Sequence, residues 1–472
     1  MRRSGLPLLV VVVVVLAAVG VLNDRGVATN PVGTTIAAAP SAQSSALYCT
    51  GLTNTRGGLR GVVTYINTTA VTRHVVVHAF ATGATSAVAT AFTLGPYARQ
   101  SVAPTNLLVG STYALSAQID GGGVSAAQVD SRFGTQSPCA NQGVTNWYAS
   151  GFDSTVGSSA VLSVYNPTAT AAVFNVTAFT PGGFSSPASL QGVSVGPHAV
   201  LTYNLGAQIV ATENFGVQVT VLRGSLVAVG DQISKGVASI NSDTTLLASS
   251  ATLPLVTTAN QAVAQVRFAN PGPAPATVTL NVKLGKFKVA PQTTEVGAYR
   301  SAMIVITPNT AIPAAGEATI VMKSTQPVDA TVVTGTQNGL TSSPVGTPAA
   351  RVVLADVTGG GFDRAVVTNV APTATEVSWV LRRRGALAST GTTSLGANAT
   401  KSLAVLVGGL MIAASVAQIS GCRNGAATNP SAIVTNARNS RKPPCSTFPV
   451  IPSATLSQID QTSRLATLSA LA

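Results

Sequence analysis

The chain has 472 residues, enough for three or four ordinary domains, and only 9% of them are charged, against about 25% in typical globular chains. Ala, Val, Thr, Ser and Gly dominate, which argues against a long helical bundle and for β-rich modules of small residues. The 27 Lys and Arg against 14 Asp and Glu leave a charge of +13, which suits anionic partners such as lipid headgroups or acidic wall polymers, or serves solubility alone.

At the N-terminus Arg2 and Arg3 precede an uninterrupted apolar run from Leu6 to Leu22. As a helix this run spans roughly 26 Å, near the lower limit for crossing a bilayer. Basic residues ahead of it place the first residues inside the cell and the remainder outside. The run exceeds a signal-peptide core, and Asp24 and Arg25 stand where a small-x-small cleavage site belongs. Residues 1–23 therefore read as a retained, single-pass signal-anchor in the cell membrane, with cleavage after Gly26-Val27-Ala28 the weaker alternative. Residues 24–46, rich in Ala, Pro, Ser and Thr, read as a flexible stalk.

Beyond the stalk the sequence repeats itself. Alternating apolar runs flank a turn at Asn67, Asn166, Asn270 and Asn369, spaced 99, 104 and 99 residues apart. A second turn recurs at Gly95, Gly196, Gly297 and Gly396, at spacings of 101, 101 and 99. Further alternating pairs follow each glycine, as in "FGVQVTVLRGSLVAVGDQI" and "ATIVMKSTQPVDATVVT". Six or more short strands per hundred residues is the pattern of a β-sandwich. The expected fold is all-β: tandem immunoglobulin-like β-sandwich repeats behind an N-terminal transmembrane helix. The sandwiches are expected over residues 47–140, 141–247, 248–345 and 346–437, with joints near Cys139, Asn241 and Asn338. A C-terminal tail follows over 438–472, where "SQIDQTSRLATLSALA" allows a short amphipathic helix.

Individual strands also show a face. Phe174, Val176 and Ala178 alternate with Val173, Asn175 and Thr177, so both sides are apolar or small and the strand suits the middle of a sheet. Val278, Leu280 and Val282 alternate more cleanly with Thr279, Asn281 and Lys283, as in a half-buried strand. The four cysteines, Cys49, Cys139, Cys422 and Cys445, have no CxxC spacing, and outside the membrane they are disulfide candidates. Of the three connectivities, Cys49 with Cys139 and Cys422 with Cys445 is favoured because each pair brackets one local unit.

The stretch "NWYASGFDSTVGSSAVLSVYNPTATAAVFNVTAFTPGG", continued by "VSVGPHAVLTYNL", resembles DUF5719, a family of actinobacterial envelope proteins of unknown function. Trp147, Tyr148, Gly151, Asn166, Pro167, Gly196 and Pro197 carry the resemblance. Thr68 and Val370 depart from it, standing where the family pattern has proline. The resemblance implies an exported, anchored protein, and it brings no catalytic residues.

Candidate chemistry is sparse. "GVSVG", Gly192 to Gly196, satisfies G-x-S-x-G, but Ser194 lies on a repeat strand leading into a turn, and Thr93, Glu295 and Ser394 occupy its place elsewhere. His74 and His78 on one strand stand roughly 13 Å apart, too far for one metal ion. Asp130, Asp231 and Asp329 recur at strand ends and read as structural. No catalytic residue, metal site or cofactor is assigned. The basic residues Lys283, Lys286, Lys288, Arg382, Arg383 and Arg384 form a candidate patch for an anionic partner, and 5% aromatics disfavours nucleic acid. The expected function is a non-catalytic, membrane-anchored scaffold or adaptor that binds envelope proteins or anionic polymers. The alternative is a carbohydrate-binding or accessory component of a wall-modifying complex, although Trp147 and Trp379 are its only tryptophans.

Overall fold

The computed structural model describes residues between 42 and 469, apart from 54–60, 131–135, 243–246, 258–262, 307–315, 345–350, 358–362, 416–453, 461–463 and a few shorter stretches. They belong to one contact unit, Val32–Ala472. Among them no helix is long and apolar enough to cross a membrane. The run from Leu6 to Leu22, most of the stalk, Cys422 and Cys445 lie outside the described residues.

The described chain is all-β, with three single-turn 3-10 segments between strands. In the first stretch, Ser45–Thr53, Thr112–Ile119, Arg73–Ala81 and Val88–Leu94 form one antiparallel sheet in that order. Arg99–Val102, Gly61–Asn67, Val124–Asp130 and Gln136–Pro138 form another. Strict alternation along Arg73–Ala81 turns Val75, Val77 and Ala79 inward, where Val75 and Val77 meet Val63, Tyr65 and Val124 of the other sheet in one core. Two sheets across a shared core is sandwich layering.

The next stretch repeats this layering around larger side chains. Val200–Asn204, Ser158–Tyr165, Val227–Ser234 and Val237–Ser242 make one sheet, and Gly183–Ser185, Ala172–Thr180, Phe215–Arg223 and Asn146–Phe152 the other. Trp147, Phe152, Phe174 and Phe215 are fully buried between them. Ala172–Thr180 is flanked on both sides, as its two apolar or small faces predict.

In the third stretch the sequence predicts two strands within "ATIVMKSTQPVDATVVT", and one continuous strand, Gly316–Thr336, is found instead. Its first half pairs with Ala248–Thr257 and Ala276–Leu284, and its second half with Val263–Asn270 and Gly339–Pro344. Proline at 327 is tolerated because it falls where the chain crosses between the two ladders and owes no hydrogen bond to either. Val278, Leu280 and Val282 are buried as predicted.

Segments read as joints or tail also join ladders. Val237–Ser242 contains Asn241, and Gly339–Pro344 follows Asn338; both pair with the strand before them. The tail forms strands Ala454–Asp460 and Arg464–Ser469 rather than a helix, and they pair with Asp363–Asn369. Short Ser/Thr-rich segments carry weak preferences of their own, so an open neighbouring edge decides their state.

Candidate functional site

The four recurrent asparagines are the best-defined polar sites of the molecule. In each, the buried side-chain amide Nδ2 donates to three backbone carbonyls. Asn166 reaches Thr170, Val195 and Gly196 at 2.7, 3.1 and 3.0 Å. Asn67 reaches Val71, Leu94 and Gly95; Asn270 reaches Ala274, Val296 and Gly297; Asn369 reaches Thr373, Leu395 and Gly396. Each Oδ1 accepts the backbone N–H two residues on, from Thr69, Thr168, Gly272 and Ala371. An amide side chain is the group that can donate and accept at once in so small a space.

This brace joins the two landmarks of the sequence repeat. The glycine turn accepts from the asparagine, and two residues later Tyr97, His198, Tyr299 and Asn398 all take a left-handed backbone, φ 57, 54, 56 and 51°. Their N–H groups return to the asparagine loop, at the carbonyls of Thr69, Thr168, Gly272 and Ala371. The two periods agree because they belong to one turn assembly. At Thr68 the residue after asparagine donates its own N–H to Gly123, so the proline at 167 replaces a bond that the first stretch makes.

Adjacent sheet pairs meet through a second recurrent arrangement. Gly51 and Gly151 both sit at irregularities in their strands, with φ of 99 and 100°. A Cβ on Gly51 would lie 3.4 Å from Asp231 Oδ2, and one on Gly151 would lie 3.3 Å from Val333 Cγ2. Beside Gly151, the Ser150 hydroxyl donates to Thr331 Oγ1 at 3.0 Å and contacts the Arg267 carbonyl at 3.3 Å. The Arg267 guanidinium, 7% exposed, donates to the carbonyls of Gly151 and Phe152 at 2.9 and 3.1 Å. Burial lowers its pKa, and Asp153 and Glu213 oppose that shift.

Asp329 is fully buried in the same junction. Desolvation pushes its carboxyl up to about 6, against the Ser150 hydroxyl and the Ala330 and Ser150 amides. Those donors face the carboxylate without closing to full hydrogen bonds. Of the recurrent aspartates expected at strand ends, Asp130 does end its strand, Val124–Asp130. Asp231 instead lies inside Val227–Ser234, near Gly51, and Asp329 inside Gly316–Thr336, near Ser150, because both strands run on past the aspartate into further pairing. Sequence reading missed Arg267, Ser150 and Gly51, and it singled out Gly151 only as part of the family resemblance. The signal was a Ser/Thr-Gly pair recurring after 100 residues.

Aromatic contacts recur across the junctions too. His198 stacks on Phe80 at 5.5 Å, and Tyr299 meets Phe184 edge-on at 5.7 Å. Phe184 and Tyr299 also border an open cleft of about 340 Å³ with Phe179, Gln218 and Pro271. Their exposures are 62% and 38%.

The remaining candidates are placed separately. Ser194 is exposed on the three-residue strand Val193–Val195, and the chain passes through a turn into the strand Val200–Asn204. A nucleophile elbow needs a helix there and a strained turn at the serine; the left-handed residues nearby are Gly192 and His198. His74 is exposed and His78 half-buried on Arg73–Ala81, and among the described residues no cluster of His, Cys, Asp and Glu could hold a metal. Cys49 and Cys139 form a disulfide. Lys283 is exposed and pairs in register with Lys288 across a hairpin. Arg382 and Arg383 end the strand Thr375–Arg383 opposite Leu387 and Ala386. Lys286 and Arg384, and the side chains of Lys288, Arg382 and Arg383, lie outside the described residues. Trp147 is in the core, and Trp379 lies half-buried over Gly391 of the next strand, close enough that a Cβ there would collide with the ring.

Packed antiparallel sheets, asparagine-braced turns and a disulfide define an all-β protein of sandwich type. The model of a family of unknown function, DUF5719, matches residues 123–406, more than half of the chain. The chain belongs to that family. No curated protein matches it. Among solved structures, it is similar to a tetra-tandem repeat in the extending region of a large adhesion protein, 14% identical over 92% of this chain and 95% of that one. The TM-score is 0.10, so this likeness carries no argument about fold or role.

Proposed function

We propose that the protein is a non-catalytic scaffold of the cell envelope: tandem immunoglobulin-like sandwiches held outside the membrane by the Leu6–Leu22 anchor, binding envelope proteins or anionic polymers. The observation that carries this reading is the buried junction of Ser150, Gly151, Arg267 and Thr331. It ties sheet pairs together through charged and hydroxyl groups taken out of water, which suits a stiff spacer. The Cys49–Cys139 disulfide supports an oxidising compartment. Lys283, Lys286, Lys288 and Arg382 to Arg384 supply the cationic contact surface.

Membrane fractionation with a C-terminal tag tests the anchor; recovery in the medium alone overturns it. Pull-down from envelope extract, with and without Arg382, Arg383 and Arg384 changed to Glu, tests the patch. Capture that survives the charge reversal overturns an electrostatic partner.

Carbohydrate binding is the second reading, favoured by the exposed Phe184 and Tyr299 at their cleft. The matching Phe80–His198 contact assigns such pairs first to packing between sheet pairs. Glycan-array binding lost in Phe184→Ala, with unchanged melting temperature, is the result that favours this reading over the scaffold.

A further inference from the structure

The strand that borders each outer sheet edge differs among the four stretches. In the second it is broken into Gly183–Ser185 and Val193–Val195, with a 3-10 turn and Pro187 between them. In the third it is broken into Phe287–Lys288 and Gln292–Val296, with Pro291 between them. In the fourth, Ala386–Leu395 is continuous, and Lys401 Nζ lies over it, donating to Thr393 Oγ1. Interruption, proline and lysine are the usual protections of a sheet edge against another strand.

The first stretch has none of these in its edge strand. Val88–Leu94, "VATAFTL", is seven residues long and contains no charge, proline or glycine. It pairs with Arg73–Ala81 on one side and is the terminal strand of its sheet, so among the described residues its outer side is unpaired. Val88, Thr90 and Phe92 pair with the buried Ala79, Val77 and Val75 and so face the core. Phe92 packs against buried Tyr65 at 5.7 Å yet remains half-exposed, and Val88 is 38% exposed. The core is open along this flank.

We propose that this edge pairs antiparallel with the same edge of a second copy of the chain, about a two-fold axis at Ala91. That register sets Val88 opposite Leu94, Thr90 opposite Phe92, and Ala89 opposite Thr93. Core-facing residues then meet core-facing residues, and the outer face brings together small side chains. A chain of net charge +13 resists self-association over most of its surface. An uncharged strand lets two copies approach without placing like charges opposite each other. The two-fold makes the contact closed and self-complementary. A single strand pair covers little area, so the association is weak and is best trapped covalently.

The test uses the full chain with Cys422 and Cys445 changed to Ser, so that Cys49 and Cys139 are the only native cysteines. Opposed residues in an antiparallel pair have Cα atoms about 4.5 to 5.5 Å apart, within disulfide reach. Ala91→Cys therefore cross-links to twice the monomer mass under mild oxidation, whereas Ala89→Cys, which is also exposed but faces Thr93, does not. Ala91→Lys lowers the dimer fraction several-fold in sedimentation at unchanged melting temperature. Equal cross-linking at 89 and 91, or a monomer at every concentration, overturns the proposal. Cross-linking in cells to a different protein in place of the dimer also overturns it, and assigns the edge to a foreign strand.

Discussion

The Asn166 amide donates to the Gly196 carbonyl at 3.0 Å, thirty residues away, and the same contact recurs from Asn67 to Gly95, Asn270 to Gly297 and Asn369 to Gly396. One side chain thereby fixes two turns that strand pairing alone leaves free. The cost of losing it is that of several buried hydrogen bonds, each about 0.5 to 1.5 kcal/mol, because the Thr170 and Gly196 carbonyls keep second donors in the Thr168 hydroxyl and the Ala199 amide.

Asn166→Ala is expected to destabilise its sheet pair by roughly 2 to 4 kcal/mol, the sum expected when several buried hydrogen bonds are lost together. Asn166→Asp keeps the Oδ1 acceptor for Thr168 but sets a negative oxygen against three carbonyls, and is expected to cost at least as much. Urea unfolding of the two variants beside wild type measures both.

Arg267→Met removes two hydrogen bonds to the Gly151 and Phe152 carbonyls while keeping the buried stem. Gly151→Ala forces a side chain onto a backbone at φ 100°, a strain of about 1 to 3 kcal/mol. Both changes are expected to loosen the junction and to speed proteolysis there. The Asn166 brace lies elsewhere, so far-ultraviolet circular dichroism should stay unchanged. Limited proteolysis read by mass spectrometry locates the cuts.

Asp329 gives the junction a pH dependence. Its carboxyl is raised to about 6 from an ordinary 3.8, so between those values the folded protein holds a proton that the unfolded chain has lost. Stability contributed at this site is therefore greatest below about pH 4, declines as pH rises through about 6, and is flat above. Asp329→Asn removes the effect. Its stability relative to wild type should be near zero difference at pH 4 and increasingly favourable toward pH 7, as read from urea midpoints across that range. A difference independent of pH contradicts a buried, raised carboxyl.

Cys49 and Cys139 close a loop with a sequence separation of 90. Replacing both with Ser is expected to cost about 4 to 5 kcal/mol if the disulfide acts by restricting the unfolded chain. The loss should fall on the first sheet pair, since Cys49 and Cys139 lie in its core cluster. Differential scanning calorimetry of oxidised, reduced and Ser-substituted protein separates the cross-link from the side-chain change.

Much of the local structure was legible in the sequence. Alternation predicted which of Val278, Leu280 and Val282 would be buried, and the spacing of asparagines and glycines located recurrent turns. Ser/Thr-rich stretches near Asn241, Asn338 and Ser457 were less legible. Their strand state depends on which open edge lies beside them, and no local pattern encodes that. The long strand Gly316–Thr336 was misjudged for a related reason: a change of partner sheet does not require a break in the extended backbone.

What the sequence determined by itself was therefore periodic: strand faces, turn positions, the charge balance and the chance of a Cys49–Cys139 bridge. Those features depend on neighbours within a few residues or on counting along the chain. Tertiary structure decided why the two turn periods coincide, where Asp329 is desolvated, and that Arg267 reaches across to Gly151 and Phe152. Each of these brings together groups 30 to more than 100 residues apart, and the environment that shifts a carboxyl or makes an arginine structural exists only once the sheets have packed.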